Sequence, residues 1–304
     1  MPPEPELIER LRLHVDRLAG LIGPRHLGNP RAFEAAATYI ERELRAFDEP
    51  VTRETYRVGD ADVSNICLER RGTTKSAEIV VVGAHYDTRP ETPGADDNAS
   101  AVAVLIEVAR ALHGVPTPRT LRFVSFACEE YPYFQNDSMG SQVHARGCRR
   151  RGEAITAMVC LEMLGYYLDA PGSQRRPDGI PRWLHWLFPS RGNFLASVGN
   201  WNSFSTVWRF RQGFRRASKL PLFSINLPER VSEIRRSDNS SFWDQGYPAV
   251  MITDTSFLRN PHYHKASDTP DTLDYERLAL AARGVAGGVL RLAGCRRREC
   301  RWPD

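Results

Sequence analysis

The chain has 304 residues, 41% of them hydrophobic and 26% charged, which places it among globular proteins with enough sequence for one large or two small domains. Its 41 basic and 37 acidic residues leave a formal net charge of +4, too small an excess to point to a nucleic-acid partner. None of the six cysteines forms a Cys-x-x-Cys pair, so a thiolate zinc site or a thioredoxin motif has no support, and a disulfide framework is not expected at this size.

The start, Met1-Pro2-Pro3-Glu4-Pro5-Glu6, is acidic and proline-rich and lacks the basic and apolar segments of a signal peptide. No apolar run approaches the roughly 20 residues that cross a bilayer. A cytoplasmic protein with no membrane partner is the expectation. Glu6 to Leu21 carries Leu7, Ile8, Leu11, Val15, Leu18 and Leu21 at helical spacing, and Gly23-Pro24 breaks it. Arg31 to Phe47 is a second amphipathic helix, with Phe33, Ala37, Ile40, Leu44 and Phe47 on one stripe. Val51 to Val58 and Val63 to Arg70 read as two strands around a Gly59-Asp60 turn, an antiparallel pair at a sheet edge.

Glu78 to Thr88 is a valine-rich apolar run, read as a buried strand, that ends in His85 and Asp87. Two residues apart in an extended chain, these side chains point the same way. Gly94-Ala95-Asp96-Asp97-Asn98-Ala99-Ser100 is a loop that sets two adjacent carboxylates before a helix over Asn98 to Leu112. That helix is apolar almost all round, as a helix packed on a sheet must be. Thr120 to Ala127 is another buried strand, running into Cys128-Glu129-Glu130. Ser138 to Arg146 is predicted helical, and Ala154 to Met163 is a strand carrying Glu162 near its end. Cys128 and Cys160 sit in apolar runs and are expected as buried free thiols.

From about 165 to 235 the alternation breaks. Proline, glycine, arginine and aromatic residues dominate, with Trp183, Trp186, Phe188, Trp201 and Trp208 among them, around one predicted helix over Asn200 to Ala217. Such a stretch is either a functional loop region or a surface subdomain with its own small core. Tyr247 to Thr253 resumes the strands, a loop runs from Asn260 to Pro270, and Leu273 to Leu292 is the final helix. The basic end, Cys295 to Arg301, is expected to fray. Strand–helix–strand order of this kind predicts one α/β domain over residues 1–304. Its sheet is mixed and mostly parallel and is flanked by helices, with 165–235 as an irregular lid insertion over the site.

In a parallel sheet the strand ends converge on one edge. His85, Asp87, Glu129, Glu130, Glu162 and His264 all lie at such ends or just beyond them. That many carboxylates in one crevice repel unless a counter-charge is present. Divalent cations supply it, and a mixed imidazole and carboxylate set suits zinc, or less selectively manganese or cobalt. Taken singly, each residue has an ordinary structural reading. His85 alone would be a hydrogen-bonded core histidine, Asp96-Asp97-Asn98 a helix cap, Glu129-Glu130 a solvated strand end. Glu162, between Leu161 and Met163 in an apolar run, needs a partner. His14, His113, His144 and His185 lack such a setting and are read as structural.

The motifs His85-Tyr86-Asp87-Thr88, Gly94 to Ser100, Glu129-Glu130, Leu161-Glu162-Met163, and Pro261-His262-Tyr263-His264 through Ser267-Asp268-Thr269-Pro270 occur in that order. In this the sequence resembles the co-catalytic di-zinc aminopeptidases. These form metallopeptidase family twenty-eight, which includes aminopeptidase Y, glutamate carboxypeptidase and, more distantly, glutaminyl cyclase. The likeness runs from the first amphipathic helix to the last helix. It implies two zinc ions: His85 and Glu162 would hold one, Glu130 and His264 the other, and Asp97 would bridge them. Asp87 would orient His85. Glu129 would be the general base, taking a proton from a water activated by the two metals and delivering it to the leaving amine. The Asp97–Asn98 bond would be cis. Adjacent extended residues point opposite ways, so Glu129 and Glu130 reach one site only if the chain turns there, which Tyr131-Pro132 permits. One departure concerns Ser237-Asp238-Asn239-Ser240-Ser241-Phe242, where the family often has histidine after the aspartate. Asp238 is either a site-lining carboxylate or an N-cap.

The resemblance thus implies an exopeptidase removing N-terminal residues from peptides. The alternative is a glutaminyl cyclase, with one zinc and aminoacyl transfer in place of hydrolysis. A non-enzymatic relative that kept the fold should have lost ligands or the base, and here all are present. The pocket for the cleaved side chain is expected around Trp183 to Trp208.

Overall fold

The computed structural model describes residues 5–177 and 182–302. It opens on helix α1 (Pro5–Val15), widened into a π turn over Asp16–Ile22, and helix α2 (Pro30–Arg45). The single long helix expected to Leu21 is thus interrupted. The wider turn rotates Leu21 out to solvent while Leu7, Leu11, Val15 and Leu18 stay buried. α2 starts where its sequence says it should. Asn29 accepts a hydrogen bond from the Ala32 amide and Pro30 takes the first helical position.

The hairpin β1 (Val51–Val58) and β2 (Ala61–Arg70) closes tightly on Gly59-Asp60, with Val58 paired to Ala61. Then come β3 (Lys75–His85), α3 (Ala101–Ala111), β4 (Arg119–Phe126), α4 (Gly140–Arg150) and β5 (Ala154–Glu162). The later elements are β6 (Leu195–Gly199), α5 (Phe204–Ala217), β7 (Leu222–Asn226), α6 (Asn239–Asp244), β8 (Ala249–Thr253) and α7 (Tyr275–Leu292). All eight strands form one sheet in the order β1-β2-β4-β3-β5-β8-β6-β7. β3 pairs parallel with β4 and β5, and β5 with β8. The four central strands therefore end on one edge. The β1–β2 hairpin lies at the sheet's end and joins it antiparallel through β2 and β4.

The expected irregular stretch from 165 to 235 is regular in its middle. β6 joins β8 antiparallel, β7 joins β6 parallel, and α5 crosses between them. β6 and β7 are short, so few residues reveal their period to a sequence reader.

A hydrophobic core fills each face of the sheet. α1, α2, α3, α5 and α7 cover one face, α4 and α6 the other. α3 is buried on nearly every side. α5 and α7 touch backbone to backbone. A Cβ added at Gly213 would lie 2.0 Å from the Gly287 carbonyl oxygen, and Gly284 and Gly288 make room for the Phe214 and Phe210 rings. The C-terminal run does not fray as expected. Cys295, Cys300 and Trp302 are buried, and the short turn Arg297–Glu299 packs against α5. Apolar residues interleaved with the arginines give it something to bury. All six cysteines are buried free thiols, Cys128 and Cys160 included.

Candidate metal centre

β3 is central, paired with β4 and β5 at its edges and covered by a core on each face, and it delivers His85 and Asp87 to the sheet edge, both buried. His85 Nδ1 lies 3.1 Å from the main-chain oxygen of Asp87 and 3.5 Å from its Oδ1. The Asp87 carboxylate has a second task. Its two oxygens accept hydrogen bonds from the Glu129 and Glu130 amides, each 3.0 Å long. The chain leaves β4 through Cys128 at φ 56°, a left-handed residue, and the Tyr131–Pro132 bond is cis. This turn is how two adjacent glutamates both face the crevice. Asp87 pins the turn to β3.

The loop before α3 is held from three directions. Gly94 sits at φ 66°, and a Cβ there would come within 2.3 Å of the Asp97 oxygen, so only glycine fits. Arg25, fully buried, donates to the carbonyls of Leu18, Gly23, Tyr86, Pro93 and Gly94. Burial lowers its pKa to about 10 against the pull of Asp268, so the guanidinium stays charged at neutral pH. The Asp268 carboxylate accepts from the Asp96 and Asp97 amides at 2.9 and 3.1 Å. Asn98 ties the loop to the end of β5, donating to the Leu161 carbonyl and accepting from the Met163 amide. The Asp97–Asn98 bond is cis.

These supports bring five side chains into two groups. Ligand-type atoms of His85, Asp97 and Glu162 lie within 4.8 Å of one another, and so do those of Asp97, Glu130 and His264. Asp97 belongs to both. His85 Nε2 is 3.4 Å from Asp97 Oδ1 and 3.4 Å from Glu162 Oε2. His264 Nε2 is 3.1 Å from Asp97 Oδ2 and 3.2 Å from Glu130 Oε1. None of these contacts has hydrogen-bond geometry. His85 Nε2, Asp97 Oδ1 and Glu130 Oε1 are buried without any hydrogen-bond partner. Lone pairs aimed at a common point, and not at donors, are what a cation requires. A third grouping, Glu54, Cys67 and His144 on β1, β2 and α4, is a contrast. There His144 Nδ1 and Glu54 Oε2 are 2.7 Å apart and hydrogen-bonded to each other.

The titration of the centre says the same. Burial, reinforced by Asp97, pushes Glu130 up to about 7. Burial raises Glu129 well above the carboxylate range, with Glu130 and Glu162 adding to it. Burial opposes charge on His264, but Asp97 and Glu130 outweigh it and lift the imidazole to about 9. Burial, with the crowding of carboxylates, opposes ionisation of both glutamates. A divalent cation fits this donor set, since it would keep the carboxylates ionised and the imidazoles neutral.

Four neighbours were given no role by the sequence reading. Ser237 donates to Glu162 Oε2 at 2.6 Å. Tyr263 stacks on the His264 ring at 3.7 Å. Asp268 and Arg25 act only on backbone, so their types carried no signal. Asp238 stands at the N-cap position just before α6 but makes no cap hydrogen bond. It is buried with neither oxygen partnered, and burial raises it to about 7. Asn239, where the family often has histidine, donates inward to the Ile234 carbonyl. Three of the histidines read as structural have ordinary partners: His14 with Tyr39 and Glu107, His113 with Glu49, and His144 with Glu54. The His185 side chain lies outside the described residues.

Beside Glu162 and Tyr263 opens a cavity of about 110 Å³, walled by Phe194, Val198, Phe223, Ile225 and Met251, with Arg175, Glu233 and Arg236 as its other charged residues.

Fold and site together define an α/β protein with a paired acid-and-imidazole centre at the carboxyl edge of its sheet. The chain belongs to peptidase family M28, whose sequence profile matches residues 65–187 and 202–289. It is 36% identical over 285 residues to the uncharacterized protein YfbL of Escherichia coli K12, covering 91% of this chain and 86% of that one. A probable leucine aminopeptidase of Arthroderma otae is 26% identical over 232 residues, covering 72% of this chain and 54% of the relative. The chain thus spans about half the length of that aminopeptidase. Among solved structures, BSAP, a zinc aminopeptidase from Bacillus subtilis, superposes with a TM-score of 0.72 at 16% identity, over 93% of this chain and 94% of that one. A glutaminyl cyclase of Fimbriiglobus ruber gives 0.66 at 20% identity, over 96% and 97%. At such identities these two likenesses show the fold.

Proposed function

We propose that this protein is a zinc aminopeptidase that removes N-terminal residues from peptides. Two metal ions would be held by His85 and Glu162 on one side and by Glu130 and His264 on the other, with Asp97 between them. The observation that carries this reading is the sharing of Asp97 by two groups of ligand-type atoms, of which His85 Nε2, Asp97 Oδ1 and Glu130 Oε1 are buried without a hydrogen-bond partner. The metal pair would polarise the scissile carbonyl and acidify the attacking water.

The chain's own residues do the rest. Glu129 belongs to neither group, yet its Oε2 lies 3.8 Å from His85 Nε2. It is the proton carrier in this reading, moving a proton from water to the leaving amine. Its burial beside Glu130 and Glu162 favours a carboxylate that can hold a proton for part of the cycle. Asp87 orients both His85 and the Glu129–Glu130 turn. The apolar cavity beside Glu162 suits an aliphatic or aromatic side chain at the cleaved end. Residues from about 165 to 235 supply most of its wall and serve as the cover over the crevice, within one catalytic domain.

The cyclase likeness favours a second reading, aminoacyl transfer with one zinc. A single preparation separates them. Metal content of the purified protein is measured, then release of chromophore from aminoacyl substrates and cyclisation of an N-terminal glutamine peptide. Two zinc ions per chain with chromophore release is the expected result. One zinc with cyclisation alone would replace this reading with the second.

A further inference from the structure

Helix α5 and the turn leading into it present an outer face of exposed rings and cations. Trp201, Phe204 and Trp208 are 63%, 63% and 50% exposed. Their spacing of three and four residues puts them on one stripe. The opposite side of the helix buries Val207, Phe210 and Phe214 in the core. Leaving three large rings in water is costly unless something covers them.

The same stripe continues into positive charge. Arg215 follows Trp208 at helical spacing, Arg209 and Arg216 flank it, and Lys219 lies just beyond the helix; all four are exposed. α5 contains no acidic residue, and among the described residues none of these four cations pairs with a carboxylate. The C-terminal turn packs against α5 and adds exposed Arg297, Arg298 and Arg301. The one acid there, Glu299, is turned onto the Arg296 amide. The chain's net charge is only +4, so this one face concentrates its excess.

We propose that this face docks the protein on an anionic phospholipid surface. Exposed tryptophan and phenylalanine beside unpaired arginines is the composition that seats a helix in the headgroup layer. The basic patch complements the negative lipid headgroups. A convex helix face offers single-stranded nucleic acid no groove in which to track its backbone. The topology agrees. Gly199 pairs with Val250 at the start of β8, whereas Ala196 pairs with Thr253 at its end. The turn into α5, with its aromatic residues, therefore lies at the sheet edge opposite the metal centre. The helix runs back from there toward β7, so the aromatic end of the face is the end remote from the crevice. Among the described residues no helix is long and apolar enough to cross a membrane, so attachment is to the surface. The expectation of no membrane partner came from hydropathy, which detects only spanning segments. This inference does not rest on the aminopeptidase reading.

The test uses the whole chain. Co-sedimentation and tryptophan emission are followed with vesicles of phosphatidylcholine alone and with about one-third phosphatidylglycerol. Binding with a blue shift is expected only on the anionic vesicles, weakening as salt rises. Replacing Trp201, Phe204 and Trp208 together by Ala should cut vesicle binding at least about tenfold. Circular dichroism and metal content should stay at wild-type values. R215E/R216E should cut binding likewise, without removing an apolar group. Absence of wild-type binding to anionic vesicles, or binding unchanged in both variants, overturns the proposal. So does a finding that the face instead holds a random single-stranded oligonucleotide, or a second copy of the chain in sedimentation equilibrium.

Discussion

The four central strands and the flank built from β6, α5 and β7 share one sheet but are made of different material. β3, β4, β5 and β8 carry buried apolar runs, and β3 and β5 close on a ligand-type side chain, His85 and Glu162. The flank is aromatic and basic, and its apolar residues divide among the core, a cavity wall and an exposed stripe. The difference teaches where each kind of task can sit. Groups that must hold charge in a low-dielectric crevice need rigid strands on both sides and hydrogen bonds to their backbones, as Asp87, Asp268 and Asn98 provide. Groups that recognise shape or a surface need reach, and a short-stranded flank supplies that with less positional control.

Changing the central edge should abolish chemistry and spare the fold. Glu129→Gln keeps shape but removes the basic carboxylate. Turnover should fall by roughly 100- to 10,000-fold, with metal content and KM near wild type, read by steady-state kinetics and metal analysis. Glu130→Gln should lose metal as well as rate. If Glu129→Gln loses metal and Glu130→Gln keeps it, the two roles are exchanged.

Behind the centre, Glu107 on α3 tests how much one buried charge network stabilises. Burial raises its pKa, but His14, Arg10 and Arg110 outweigh this and bring it from 4.5 to about 2. A carboxylate depressed in the fold contributes stability above its unfolded pKa and loses it as pH falls towards the folded one. About 3 kcal/mol should therefore disappear between pH 4.5 and about 2. Urea midpoints across that range should show it, and Glu107→Gln should flatten that part of the curve. An unchanged slope in the variant would assign the acid lability elsewhere.

Gly213→Ala strikes the joint between flank and body. Its new methyl would meet the Gly287 carbonyl at 2.0 Å. A loss of about 1–3 kcal/mol in unfolding free energy is expected, with the folded fraction still binding metal. Loss of metal binding from folded protein would show that flank and centre are coupled, contrary to the division drawn here.

The smallest effect belongs to the cavity. Phe223→Ala enlarges its wall, so the preference among N-terminal side chains should move towards larger ones by about 10-fold in relative kcat/KM. An unchanged ranking would place side-chain recognition outside this cavity.

Much of the centre was legible because its signals are local. A valine run ending in His85 and Asp87, and a glutamate between Leu161 and Met163, announce a buried strand with chemistry at its end whatever the rest of the chain does. Hydrophobic period and strand-end position follow from residues a few places apart, and so the central strands, the apolar helix over α3 and the long amphipathic helices are in the sequence itself. The tertiary structure alone decided what depends on distant pairing. Asp268 holds the amides of Asp96 and Asp97 across more than half the chain, Arg25 grips carbonyls that any residue type could present, and Ser237 finds Glu162 only because α6 lies beside β5. β6 and β7 are too short to show a period, and the C-terminal arginines read as solvated until Cys300 and Trp302 dock beneath them. A backbone carbonyl has no sequence signature, and a contact closed by the whole fold has no local one.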